Sequence, residues 1–203
     1  MNISCVLSMV FHFWICNCFH EDGLADTFDG MGGGWGKEHV LTIMADSRIG
    51  TYGSVSLITF ILTKWLLLCS EEDISKAIII SQTFARMTAP ILIYWKQYVK
   101  ESGVKTSGEY YQCMIHASDY NTLGRVCFSL VITSGIGCMV LDDLWFIMVL
   151  FVVIFGVCFV AGWYADLRLR GIMGDYLGCI ISIVSLCLAY FYLIHGFGFR
   201  QSW

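Results

Sequence analysis

Apolar residues fall along this chain in long unbroken runs. Residues 49–69, 75–95, 123–141, 144–165 and 172–195 are almost wholly apolar, and residues 3–19 form a shorter, more polar run. Each approaches the roughly 20 residues that a helix needs to cross a bilayer. In hydrocarbon the backbone must satisfy its polar groups within the segment, so the runs predict helices. The second half lacks the alternating polar face of an outer-membrane barrel strand. The expected fold class is all-α: a polytopic membrane helical bundle of about six transmembrane helices, forming one integral membrane domain over residues 1–203. Pro90, the only proline, lies within a run and should kink it.

Composition agrees with this class. Hydrophobic residues make up 57% of the chain and charged residues 14%, with a mean hydropathy of +0.69. A soluble domain carries about a quarter charged residues. The net charge of −4 comes with no basic tract, which argues against a nucleic-acid partner. The ten cysteines contain no CxxC pair and lie mostly inside apolar runs, so they read as small buried apolar residues. The N-terminus lacks the basic region of a secretory signal, and an acidic motif follows the first run at once.

Drawing the spans sorts the charges. Polar segments 20–48, 96–122 and 166–171 fall on one side and hold Lys37, Arg48, Lys96, Lys100, Lys105, Arg168 and Arg170. The other side has short acidic turns at 71–73 and 142–143, with Lys76, Arg200 and a snorkelling Lys64 as its cations. The Lys/Arg excess predicts that the first side is cytoplasmic, in a cell (inner) membrane. All the acidic motif residues share that side, so the chemistry is expected at the edge of the membrane, on cytosolic substrates.

The most informative motif is HEDGLADTFDG, His20 to Gly30. On a helix, the four- and three-residue spacings of Asp22, Asp26 and Asp29 place three carboxylates on one face. Such a stripe repels itself unless a cation sits against it, and a hard divalent ion with oxygen ligands is the natural one. Mg²⁺ is typically held by one or two carboxylates together with substrate phosphates, which points to a diphosphate-bearing substrate. The glycine-rich run from Met31 to Gly36 should end this helix. A second motif, IMADSRIGTYG, offers Asp46 as a further oxygen ligand, Ser47 and Arg48 for phosphate, and Gly50 and Gly53 for close backbone approach. Arg86 lies inside a span, where an ionisable group should face the bundle interior and meet a partner. Near the last span, RGIMGDYLG places Asp175 among Gly171, Gly174 and Gly178, a small-residue face for helix packing.

Taken in order, HEDGLADTFDG, IMADSRIGTYG, the intramembrane arginine of FARM and RGIMGDYLG resemble the motifs of the cobalamin synthase family, the adenosylcobinamide-GDP ribazoletransferases. The resemblance runs from His20 to about Ile194. It implies a Mg²⁺-dependent transferase of the phosphotransferase class, acting in the last steps of cobalamin biosynthesis. Its implied substrates are adenosylcobinamide-GDP and α-ribazole or α-ribazole 5′-phosphate, and its products adenosylcobalamin or its 5′-phosphate and GMP. Asp22, Asp26, Asp29 and Asp46 are then expected as metal ligands, and His20, Ser47, Arg48 and Arg86 as substrate contacts. Asp29 or Asp175 would accept the hydroxyl proton. Three departures stand out: Ala45 replaces the lysine of the family's K-D-S-R, and Arg170 and Met173 replace glycine and threonine. Members of the family usually carry a further membrane hairpin ahead of the first motif, so the expectation is an N-terminally short copy.

Two other readings remain open on the residues alone. A CDP-alcohol phosphotransferase-like lipid enzyme also spaces aspartates along a D-G-x-x-A motif, but wants arginine where Asp26 stands. A non-enzymatic metal or ion membrane protein would more often place its acids near the bilayer midplane.

Overall fold

A computed structural model describes residues 3–70, 73–99, 120–141 and 143–200, with no description of side chains at 120–122 and 195–200. Apart from one isolated bridge, these residues form helices: α1 (Ile3–Ile15), α2 (Phe19–Gly33), α3 (Lys37–Met44), α4 (Thr51–Ser70), α5 (Ile74–Ala85), α6 (Thr88–Trp95), α7 (Tyr120–Val140), α8 (Leu144–Arg168) and α9 (Gly174–Arg200). Five described stretches are long and apolar enough to cross a membrane: α4, α5 with α6, residues 123–140 of α7, α8, and residues 174–194 of α9. Their outward faces carry large apolar side chains such as Val131, Val152, Phe155 and Phe159, as contact with lipid demands.

The predicted first span is not a single helix. α1 has 13 residues, too few to cross alone, and the chain turns by 83° before α2. Asn17 and Cys18 make that corner with φ of 51° and 54°. Asparagine tolerates this left-handed region; for Cys18 it costs about 1–2 kcal/mol, so packing must enforce it. Only together, as a bent pair, do α1 and α2 reach the length and apolarity of a sixth span.

Pro90 acts one turn upstream of its own position. It has no N–H to offer the carbonyl four residues earlier, at Arg86, and its ring crowds that carbonyl. The helix accordingly breaks between α5 and α6, at Arg86 and Met87.

α9 is the central helix, packed against α2, α4, α5, α6 and α8. The main core joins Ile80, Phe84, Leu92, Leu150, Ile154, Met173, Val184 and Leu188. A short parallel bridge between Tyr98 and Ile172 sets the start of α9: the Val99 amide donates to the Ile172 carbonyl (2.8 Å) and the Ile172 amide to the Gln97 carbonyl (2.9 Å). Gly171 is required there, because its φ is +148° and a Cβ would collide with the Gln97 carbonyl.

α2 runs antiparallel to the first halves of both α4 and α9. Asp29, near its C-terminal end, meets Gly50 and Gly53 at the start of α4, whereas Leu24 packs with Phe60, farther along. On the other flank Gly23 lies against Asp175 and His20 against Gly178, again in descending order. The acidic helix is therefore a wall of the bundle. This corrects the expectation of a complete first span over residues 3–19 ahead of the acidic helix.

Candidate active site

The periodicity of α2 does what its sequence predicts: Asp22, Asp26 and Asp29 share one face, and their burial rises along it. Asp22 is exposed, Asp26 half-buried and Asp29 buried. Asp29 is fixed by backbone. One of its oxygens accepts from the Gly50 amide (2.7 Å) and the other from the Gly53 amide (2.8 Å). These amides belong to the start of α4, where helix N–H groups lack intrahelical partners and favour negative charge.

Gly23 performs the matching task on the opposite flank. A Cβ there would stand 2.5 Å from the Asp175 carbonyl oxygen, so only glycine lets α9 approach so closely. The approach brings Asp175, in the first turn of α9, to the acidic face. The charges of Asp22, Asp175 and Asp29 all reach Asp26. A second helix N-terminus thus borders the stripe, and the acidic face of α2 lies between the starts of α4 and α9.

Arg168 holds the far end of α2. Its guanidinium donates to the carbonyls of Met31 (2.9 Å) and Gly34 (3.0 Å). A cation at these terminal carbonyls satisfies acceptors that the helix leaves over. Position along the chain implies only a topological role for Arg168, and nothing local to it signals this contact, which spans 137 residues.

The second motif divides. Gly50 and Gly53 join the site, whereas Asp46, Ser47 and Arg48 form an outlying turn. Asp46 is gripped by Arg48: a guanidinium nitrogen lies 2.6 Å from Oδ2, and the Arg48 Nε and amide also donate to the carboxylate. These hydrogen bonds hold the Asp46 carboxyl down at about 2. Ser47 and Arg48 are exposed, and Asp46 is not among the carboxylates whose charge reaches Asp26.

Arg86 and His20 lie on the other side of α2. Arg86 donates to the Gln82 carbonyl and side chain (2.9 Å each) and to the Cys16 sulfur (3.6 Å). Ser182 donates to the His20 carbonyl (3.3 Å), and the buried His20 Nδ1 has no hydrogen-bond partner among the described residues. Both groups look into the bundle beneath the acidic stripe. Lys64, expected to snorkel outward, is buried there too.

Among the described residues, no three His, Cys, Asp or Glu side chains form a ready-made metal cage. The donor set suits a different kind of site. Mg²⁺ keeps several waters and binds through one or two carboxylates plus substrate phosphates. Asp22 and Asp26, exposed and half-buried on one face of α2, are carboxylates of that kind.

Residues 1–193 match the family model described as cobalamin-5-phosphate synthase. An adenosylcobinamide-GDP ribazoletransferase of Shewanella frigidimarina is 35% identical over 192 residues, which is 92% of this chain and 70% of that protein. The protein of the same name from Shewanella piezotolerans is 30% identical over 200 residues, 96% of this chain and 74% of its own. A third, from Shewanella oneidensis, is 42% identical over 111 residues, 52% of this chain and 42% of that protein. No solved structure matches. With the family model covering nearly the whole chain and the acidic helix braced between the glycine-marked starts of α4 and α9, this chain belongs to the cobalamin-5-phosphate synthase family.

Proposed function

We propose that this chain joins adenosylcobinamide-GDP to α-ribazole or its 5′-phosphate, releasing GMP. A ribazole hydroxyl oxygen forms a bond to the phosphorus that carries the cobinamide. The anhydride bond on that phosphorus breaks, and its electron pair leaves with GMP. The hydroxyl proton passes to a carboxylate at the site. The product is adenosylcobalamin or its 5′-phosphate.

The observation that carries this reading is the gathering of Asp22, Asp26, Asp29 and Asp175 between two helix N-termini. Phosphoryl transfer depends on positioning and charge neutralisation rather than on covalent chemistry by the protein. Asp22 and Asp26 would hold Mg²⁺, which when bound neutralises charge developing on the diphosphate. Asp29 keeps the stripe in register with α4, since both its oxygens are taken by amides. Asp175 is the better placed proton acceptor, at the first turn of α9 beside Asp26. The N-terminus of α9, beside Asp26, favours an anionic substrate. The Lys/Arg excess on this side of the spans supports a cytoplasmic position for this end of the bundle, in a cell (inner) membrane.

The test uses membranes holding the chain, supplied with adenosylcobinamide-GDP, α-ribazole 5′-phosphate and Mg²⁺. GMP and cobamide should appear together, chelation should stop both, and Asp26→Asn should lower the rate at least about 100-fold, the scale on which one transition-state charge contact counts. Release of CMP from CDP-lipids, without GMP from the cobinamide substrate, would overturn the proposal.

A further inference from the structure

Ionisable groups inside a membrane bundle are costly and are kept for a purpose. Beneath α2, on the face turned away from Asp22 and Asp26, Lys64 and Glu21 are 8% and 6% exposed. The Lys64 ammonium makes no hydrogen bond or ion pair among the described residues. It lies 5.1 Å from the Phe13 ring and 5.3 Å from the Phe60 ring. Glu21 Oε2 has no partner among the described residues, and Oε1 stands 3.8 Å from His12 Nε2. Lys64 and His12 line one cavity of about 30 Å³ with Ser81, Gln82 and Ser185. That volume holds about two waters, and polar groups separated by more than a direct hydrogen bond are commonly bridged by water.

The charges decide the pairing. Arg86 is already spent on Gln82 and Cys16. Glu21 is the carboxylate whose charge reaches Lys64. Glu21 also sits in the first turn of α2, directly after the strained corner at Asn17 and Cys18.

We propose that Glu21 and Lys64 form a water-joined intramembrane ion pair, with His12 between them, that pins the broken span α1–α2 to α4 and so positions Asp22 and Asp26. Both are positioning residues; neither touches the reacting atoms. Role and position rest on the reading of α2 as the metal-binding wall, but the pair itself is tested without the reaction.

The experiment is a double-mutant cycle on the full chain in detergent, with Glu21→Gln, Lys64→Met and the double variant. Thermal midpoints read the pair, and the Mg²⁺ concentration for half-maximal GMP release reads the positioning. Each single variant strands a buried charge, Lys64 in Glu21→Gln and Glu21 in Lys64→Met. The double variant should be at least as stable as Glu21→Gln alone. Each single variant should raise the half-saturating Mg²⁺ at least fivefold, with Lys64→Arg staying within about twofold of the parent. If the midpoint shifts simply add, the ion pair is wrong. If they couple while the Mg²⁺ requirement stays fixed, the positioning role is wrong. Should Lys64→Met fail to accumulate, Lys64→Gln against Lys64→Arg carries the same comparison. Failure of the parent chain to use Mg²⁺ would instead count against the proposed function.

Discussion

The carboxylate of Asp29 is clamped to the start of α4 by the amide of Gly53, 2.8 Å away, across 24 residues of sequence. The Gly50 amide completes the clamp from the same turn. A side chain at position 53 would occupy the space of the Asp29 carboxylate. The two residues therefore define each other: the acid needs amides with no helical partner, and the helix start needs a residue without a Cβ.

Asp29→Asn keeps one acceptor oxygen and places an NH₂ against a backbone N–H. It should cost about 1–3 kcal/mol, the range for stranding a buried polar group. Gly53→Ala should cost a similar amount by forcing the carboxylate away. Both should be seen as lower thermal midpoints in detergent, with activity falling more than the folded fraction, because α2 shifts against α4.

Arg168 closes the other end of α2 on the carbonyls of Met31 and Gly34. Arg168→Met leaves both acceptors unpaired and should cost about 1–3 kcal/mol. Arg168→Lys retains the charge without the rigid fork and should fall between the two. Proteolysis at the glycine-rich run after α2 would report the fraying, faster in the methionine variant than in the lysine one.

Arg170 is exposed and has a φ of 58°, in the left-handed region. Glycine, which stands here in the family motif, adopts that backbone without strain. Arg170→Gly should stabilise the fold by about 1 kcal/mol, measured as a higher thermal midpoint with an unchanged Mg²⁺ requirement. A loss of stability would mean that the Arg170 side chain holds a contact stronger than the strain.

The Asp46–Arg48 pair fixes how this turn responds to pH. Hydrogen bonds from Arg48 lower the Asp46 carboxyl to about 2, against roughly 4 for a free aspartate. The pair is fully formed above about pH 4 and is lost only as pH falls through about 2. Asp46→Asn should accordingly leave the acid limb of the pH–rate profile between pH 4 and 7 in place. A limb that moves with this substitution would assign it to Asp46.

Much of the architecture is written locally. Runs of apolar residues give the five spanning segments, because hydrocarbon leaves the backbone no option but helix. The 3.6-residue period gives the stripe of Asp22, Asp26 and Asp29 once the segment is helical. Pro90 announces a break, although its effect appears at Arg86, where the missing amide would have bonded. The motif order also reveals the family, which the match over residues 1–193 bears out.

Tertiary structure decided the rest. Hydropathy averages over a window and reads 3–19 as one span, whereas the chain turns 83° at Asn17 and Cys18 because packing against α4 and α9 outweighs the local strain. Asp46 and Asp29 look equivalent in sequence, yet one is taken by its neighbour Arg48 and the other by amides at the start of α4. Lys64 looks like an interfacial cation, yet it is enclosed among Phe13, Phe60 and His12. The physical reason is common to all three. Periodicity depends on a residue's own segment, whereas the partner of a charge depends on which segments meet, and here those contacts join residues tens of positions apart.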